Sequence, residues 1–195
     1  VEYVTINELT EAADVGFGSF YNHFESKDAL YAALVSWVFE AFGDSLDALA
    51  SGLSDPAEIV SVCVRHTVMR ARREPMWGKF LIREGFSERA LQYGLGRRLM
   101  RDSRTGIEAR RFDVADPFMC HISLSGTVLA AIAAELHFAA PINAGAGKRN
   151  ALDLGEERFA ERAAAIVLQT LGLARAEAEE VARRPLCAAP DTMVL

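Results

Sequence analysis

The chain has 195 residues, 51% of them hydrophobic and 25% charged, a balance that suits one large or two small globular domains. Its formal net charge of −6 argues against a general nucleic-acid coat, which needs excess positive charge to displace counterions, but leaves room for a local DNA-reading surface. Prolines number only 6, Ala, Leu, Glu and Arg dominate the long segments, and no β-branched or aromatic runs punctuated by turns persist, so the expected fold class is all-α.

Residues 5–12 are predicted to form a short helix. Thr5 supplies the N-cap oxygen, Glu8 completes a capping box, and Ile6, Leu9 and Ala13 mark an apolar stripe. Asp14, Val15 and Gly16 make a tight turn, and residues 17–23 a second short helix. Ser26 caps a third and longer helix with Asp28 in its first turn. That helix carries Leu30, Leu34, Trp37, Val38 and Ala41 at helical spacing and is expected to decay between Gly43 and Ser54. Asp55-Pro56, an N-cap acid before a proline at the first helical position, opens a helix to about Arg73. Pro75 starts a short helix over 76–83, and Ser87 caps a longer one that reaches Arg111 with a break. Asp116-Pro117 repeats the start signal. The segment from there to Phe138 is apolar enough, through Phe118, Ile122, Leu124, Val128, Leu129 and Ile132, to be buried on most sides. Residues 141–150 read as a loop, 156–171 and 175–184 as two last helices separated by Gly172, and 185–195 as a frayed tail.

Two short helices joined by a tight turn make a helix-turn-helix, whose second helix can enter the major groove. Gly16, Phe17, Gly18 and Ser19 suit that position, because bulk there would hold the helix off the DNA. Tyr21 and His23 carry donors for phosphate oxygens, and Ser26 and Lys27 open a helix whose dipole favours a phosphate. Residues 5–30, from Thr5 through the small-residue turn to Tyr21, His23, Phe24 and Lys27, resemble the signature of the tetracycline-repressor (TetR) family. The resemblance implies phosphate contacts by Thr5, Tyr21, His23 and Lys27, and base-facing positions for Asn7, Phe17, Gly18 and Ser19, with Asn22 in the same DNA-binding set. It implies a core role for Val15, Phe20 and Phe24. It also implies a helix ahead of Thr5 and a basic leading arm. Neither is present, so the DNA-binding domain is expected to lack its first helix, and Lys27 is the only Lys or Arg before Arg65.

On this reading residues 1–45 form the helix-turn-helix domain and 46–195 a larger helical domain for effector binding and dimerisation. One short recognition helix reads too few bases alone, so paired half-sites and a homodimer are expected. The interface is assigned to Asp116–Phe138, with Ser125, Gly126, Ala130, Ala131, Ala133 and Ala134, and to Glu156–Leu171, with Phe159, Ala163, Ile166, Val167 and Thr170. His66, Met69, Trp77, Phe80, Met100, Phe118 and His121 are candidate walls for a small, largely apolar effector. Arg70, Arg72, Arg73, Arg97, Arg98, Arg101 and Arg104 read as a solvated face with ion pairs, or as a seat for an acidic ligand.

No catalytic constellation supports an enzyme. Gly16-Phe17-Gly18 lacks the third glycine and preceding strand of a dinucleotide site, and Ser123 and Ser125 lie outside any nucleophile elbow. Four scattered histidines (His23, His66, His121, His137) and the spacing of Cys63, Cys120 and Cys187 give no metal site, and no cofactor is expected. Reduced buried cysteines suit the cytoplasm. Residues 122–140 approach the roughly 20 residues of a membrane span, but Ser123, Ser125, Glu135 and His137 favour a core or dimer helix, so no membrane is expected. The expected function is a ligand-responsive repressor on double-stranded operator DNA. The alternative is a helical binding or interaction protein that has lost DNA recognition.

Overall fold

In the computed structural model, which describes residues 4–138 and 158–186, ten helices supply every regular element of the described residues. They are α1 (Ile6–Ala12), α2 (Phe17–His23), α3 (Lys27–Ala50), α4 (Pro56–Arg73), α5 (Pro75–Glu84), α6 (Glu88–Gln92), α7 (Gly94–Glu108), α8 (Pro117–Phe138), α9 (Phe159–Thr170) and α10 (Arg175–Ala182). The helix starts follow the capping chemistry of the sequence. Thr5 and Glu8 form a reciprocal capping box on α1. The Ser26 hydroxyl accepts from the Ala29 N–H, Asp55 from Ala57, and Ser87 from Ala90. Tyr93, in an extended conformation, makes the expected break before α7. The expected loop over 141–150, the tail beyond Leu186, and Cys187 lie outside the described residues.

α4 is the central helix of the larger domain, packed by α3, α5, α7, α8, α9 and α10. The core around it is built from fully buried Val60, Val68, Leu124, Ile132, Val167, Leu168 and Leu171, with Phe39 and Phe42 arriving from α3. Each such side chain stabilises the fold by about 1.5–3 kcal/mol relative to exposure. α4 also carries polar groups inward. The Arg70 guanidinium lies over the rings of both Phe42 and Trp77, 4.8 Å from each centroid, and pairs with Glu74 at 3.1 Å. Arg65 donates to the Arg184 carbonyl at 2.7 Å.

Several expectations change. α3 runs unbroken for 24 residues through Gly43 and ends at Ala50, inside the expected range of 43–54 and past the expected domain boundary at 45. The Arg98 guanidinium occupies the space a Cβ on residue 43 would need, so this glycine permits close approach rather than a break. The buried stripe of α3 is Val35, Phe39, Phe42, Leu46 and Leu49. It lies about one helical face away from the expected stripe, which leaves Leu34 43% and Trp37 56% exposed. α8 is apolar all round yet buries one side only, through Cys120, His121, Leu124, Leu129, Ile132 and Glu135. Phe118, Met119 and Ile122 stand in the open. Val15, expected in the core, is 47% exposed, because it sits in the turn between α1 and α2 and not on a packed helix face.

Asp55 holds three segments together. It caps α4 and accepts from Arg111 at 2.9 Å and Arg184 at 3.3 Å, while Arg111 reaches Glu177 at 2.7 Å. The cap contributes about 1 kcal/mol, and each half-exposed ion pair at most about 1 kcal/mol. Asp55→Ala is therefore expected to cost about 2 kcal/mol in urea denaturation, and Asp55→Asn, which keeps the cap, about half of that. Equal losses for the two variants would assign the whole effect to the ion pairs and none to the cap.

Candidate nucleic-acid interface and ligand cavity

The N-terminal module presents one polar-aromatic face. The chain turns after α1 through Asp14, the left-handed residue of the turn at φ 54°, and Val15 N–H closes back on the Thr10 carbonyl at 2.9 Å. Phe20 is buried on the inner side of α2 and leans on Phe24 at 5.8 Å, which fixes the helix. One helical turn apart on the outer side, Phe17 and Tyr21 are 51% and 53% exposed, with their rings edge to face at 5.5 Å. Gly18, Asn22 and His23 are exposed with them, and Ser19 is half-buried at the edge. Thr5 and Asn7 are exposed on α1. The Thr5 hydroxyl donates to the Glu8 carboxylate at 2.8 Å, and the Thr5 backbone N–H and hydroxyl hold that carboxyl below its usual value. Lys27 is half-buried in the first turn of α3.

A second site lies inside the larger domain. A cleft of about 90 Å³ opens between α3, α4, α5, α7 and α8. Its walls are apolar, with Phe39, Leu46, Val60, Val64, Leu81, Leu95, Leu99, Val128 and Leu129, and the ion-paired cluster of Asp47, Arg98 and Asp102 makes a polar end, while Thr67 and Ser125 also line it. Residues 60, 63, 64 and 67 of α4 supply one wall because they share one helix face. Cys63, on that face, has its thiol pushed up to about 12 by burial, reinforced by Asp102 and Asp47.

The polar end is also a structural joint. Arg98 is 8% exposed, and its guanidinium donates to Glu40 at 2.8 Å, to Asp47 at 2.8 Å and to Asp44, all on α3. Arg101 reaches Asp47 at 2.6 Å and Asp102 at 2.7 Å. The Gly94 N–H, at a φ of 54°, donates to Glu40 at 2.8 Å. α3 thus offers acids at 40, 44 and 47 along one face, and α7 answers with arginines at 97, 98 and 101.

None of the seven residues expected to wall an effector site lines this cleft. His66 and Trp77 are buried in the core, Phe80 packs on Phe39 from behind with ring centroids 5.6 Å apart, and Met100 is half-buried on α7. Met69 is 38% and Phe118 66% exposed. His121 is 3% exposed with neither ring nitrogen bonded, and burial lowers its pKa; burial, Arg65 and Arg73 do the same to His66. The face of α4 toward the cleft carries Val60, Cys63, Val64 and Thr67. The legible signal was the match of acid spacing on α3 to arginine spacing on α7. The arginines expected on a solvated face divide accordingly, since Arg98 is buried in ion pairs while Arg97 and Arg101 remain more than half exposed.

Residues 1–34 match the family model of bacterial regulatory proteins of the tetR family, and residues 55–184 match that of the tetracyclin repressor-like C-terminal domain. The chain belongs to the tetracycline repressor family. Its fold is similar to the crystal structure of RolR in complex with the ligand resorcinol, with a TM-score of 0.74 and 32% identity over 97% of this chain and 88% of that one. RolR without ligand gives a TM-score of 0.72 and 33% identity over 94% of this chain and 88% of that one. No curated protein matches the chain. As a tetracycline repressor family member the protein is a ligand-responsive, DNA-binding transcriptional regulator and not an enzyme, and its family implies operator DNA, a small-molecule effector and dimerisation.

In this regulator the acid–arginine joint carries a pH signature. Hydrogen bonds from Arg98 and the Gly94 N–H hold Glu40 below its ordinary 4.5. Burial alone would raise Asp47, but Arg101 and Arg98 outweigh it and hold the carboxyl below its ordinary 3.8. A depressed carboxyl stabilises the fold above its unfolded value and loses that contribution as pH falls through its folded value. Urea denaturation at stepped pH is therefore expected to show wild-type stability falling below pH 4.5, with Arg98→Met less stable at neutral pH and flatter in that acid range. Parallel profiles for the two proteins would remove the joint as the cause.

Proposed function

We propose that this regulator is a homodimeric repressor that is released from its operator by a small, largely apolar molecule bearing hydroxyl groups on an aromatic ring. Residues 1–45 read the DNA and 46–195 hold the effector and the second subunit, with α3 shared between them. The outer face of α2 carries this reading. Phe17 and Tyr21 are large aromatics left in water on a seven-residue helix that Phe20 anchors from behind. Phe17, Gly18 and Ser19, with Asn7, face the bases, Phe17 against thymine methyls. Thr5, Tyr21, Asn22, His23 and Lys27 engage the backbone, where contacts position the module without reading sequence. DNA function places the protein in the cytoplasm.

The effector class follows from the cleft. Its apolar walls and volume of about 90 Å³ suit a single ring, and its polar end offers carboxylate acceptors at Asp47 and Asp102 beside the Arg98 donor. Phenolic hydroxyls donate to carboxylates and accept from guanidinium. Resorcinol, the ligand in the similar RolR complex, has this chemistry. A ligand that prefers the conformation with mis-spaced recognition helices lowers DNA affinity by the factor of that preference.

The test is a mobility-shift titration on a duplex that the wild-type protein recovers from a randomised pool, at several salt concentrations and with and without resorcinol. Resorcinol is expected to reduce retention. Lys27→Ala is expected to weaken binding on every duplex and lower the log–log salt slope by about 1, and Phe17→Ala to change which sequence is recovered. Failure of the wild type to retain any duplex at low salt would favour a binding protein without DNA recognition.

Dimerisation is assigned to α8 and α9 within Asp116–Phe138 and Glu156–Leu171. Ile122 is 42% and Ile166 52% exposed on these helices, and open space surrounds Gly126. Apolar side chains beside small residues give a surface that a second copy can approach closely. Among the described residues one helix, Pro117–His137, is long and apolar enough to cross a membrane, and here it is the dimer helix. Ile122→Glu is expected to convert the dimer to monomer in light scattering and to weaken operator binding. A stable dimer in that variant would move the interface elsewhere.

A further inference from the structure

The last turn of α5 stands between the cleft and the root of the DNA-reading module. Leu81 and Gly85 line the cleft, and Arg83 and Glu84, between them in sequence, face away toward α3. There the Tyr31 hydroxyl donates to Glu84 Oε1 at 2.5 Å and accepts from the Arg83 guanidinium, which also lies 5.6 Å from the Tyr31 ring centroid. Arg83 Nε completes the group with a bond to the same Glu84 oxygen at 2.7 Å. Glu84 is largely covered, its side chain 15% exposed. Tyr31 lies one helical turn beyond Lys27, where α3 leaves the recognition helix.

We infer that Tyr31 is the positioning residue through which occupancy of the cleft sets the placement of the DNA-reading module. This inference rests on the proposed effector site and adds to it the route by which that site is felt. Two observations give the route its stiffness. The turn has no slack on its cleft side, because a Cβ on Gly85 would lie 2.8 Å from a Leu129 methyl, so a molecule that moves Leu129 or Leu81 also moves the turn. Behind it, α3 is gripped at a second point by the bonds of Arg98 to Glu40, Asp44 and Asp47. From Tyr31 to Asp44 is about 20 Å along the axis at 1.5 Å per residue. A helix held at one point and pushed at another tilts. The Arg98 joint acts as the pivot, Tyr31 receives the push, and the recognition helix lies beyond it on the moving end.

Tyr31 touches neither DNA nor the cleft in this account, so its removal is expected to spare both affinities and to reduce their coupling. The full chain is compared as wild type, Tyr31→Phe and Glu84→Gln. Resorcinol binding is followed by calorimetry, and affinity for the recovered duplex is measured with and without resorcinol. Each variant is expected to bind the duplex alone and resorcinol alone within about threefold of wild type. The loss of DNA affinity caused by resorcinol, within the roughly 5–150-fold range of allosteric couplings, is expected to shrink severalfold in both variants. The double variant is expected to show no further loss. A coupling factor equal to wild type in Tyr31→Phe overturns the inference. If wild type binds no resorcinol, the proposed effector is wrong, and Val128→Phe, which places a ring in the cleft, takes the ligand's part. Val128→Phe is then expected to weaken DNA binding in the wild-type background and not with Tyr31→Phe. Equal weakening in both backgrounds, or none in either, overturns the inference.

Discussion

The buried guanidinium of Arg98 is the constraint on which the arrangement depends. A charge withdrawn from water must be compensated by partners that are themselves held in place. Here they come from one face of a single helix, at Glu40, Asp44 and Asp47. The same residues that satisfy Arg98 fix the distance and phase between α3 and α7. A gap between those helices, closed over by α4, α5 and α8, is what makes the cleft. On the proposed effector site, ligand chemistry and domain geometry share atoms. A hydroxyl that reaches Asp47 competes with the arginines that hold α3 down.

That sharing explains why α3 is continuous. A helix that served only the DNA-reading module could end at Gly43, where the sequence invites an end. This one must present acids at 40, 44 and 47 in register with Tyr31 and Lys27, and only an unbroken helix keeps that register. The small module in turn needs little core of its own. α1 and α2 pack on each other, with Phe20 buried and leaning on Phe24 just ahead of α3.

The legibility of the sequence divides along physical lines. Helix starts are set by local chemistry, so Thr5, Ser26, Asp55 and Ser87 could be read one after another, and each caps where expected. The helix-turn-helix is also local and was read to the residue at Phe17 and His23. What fails is whatever depends on a distant partner. The sequence places the end of α3 within 43–54, but the role of Gly43 inside the helix depends on the side chain that fills its space, which arrives from residue 98. Leu34 and Trp37 read as part of an apolar stripe, and α8 as buried on most sides, because hydrophobicity alone does not say which apolar face meets the rest of the chain. The cleft walls depend on distant partners too. Large aromatic and imidazole groups suggest a pocket to the eye, yet an empty space needs short or branched residues around it, such as Val60, Val64 and Val128.

Cys63 adds a chemical property to the cleft. A thiol pushed up to about 12 stays protonated at any cellular pH, and a protonated thiol is a poor nucleophile. Electrophiles are captured by the thiolate and not by the protonated thiol. The acids that hold the helices in register also repel a second negative charge beside them, and so they keep the sulfur inert. Any molecule in the cleft therefore meets an unreactive sulfur, and its contact with Cys63 stays noncovalent.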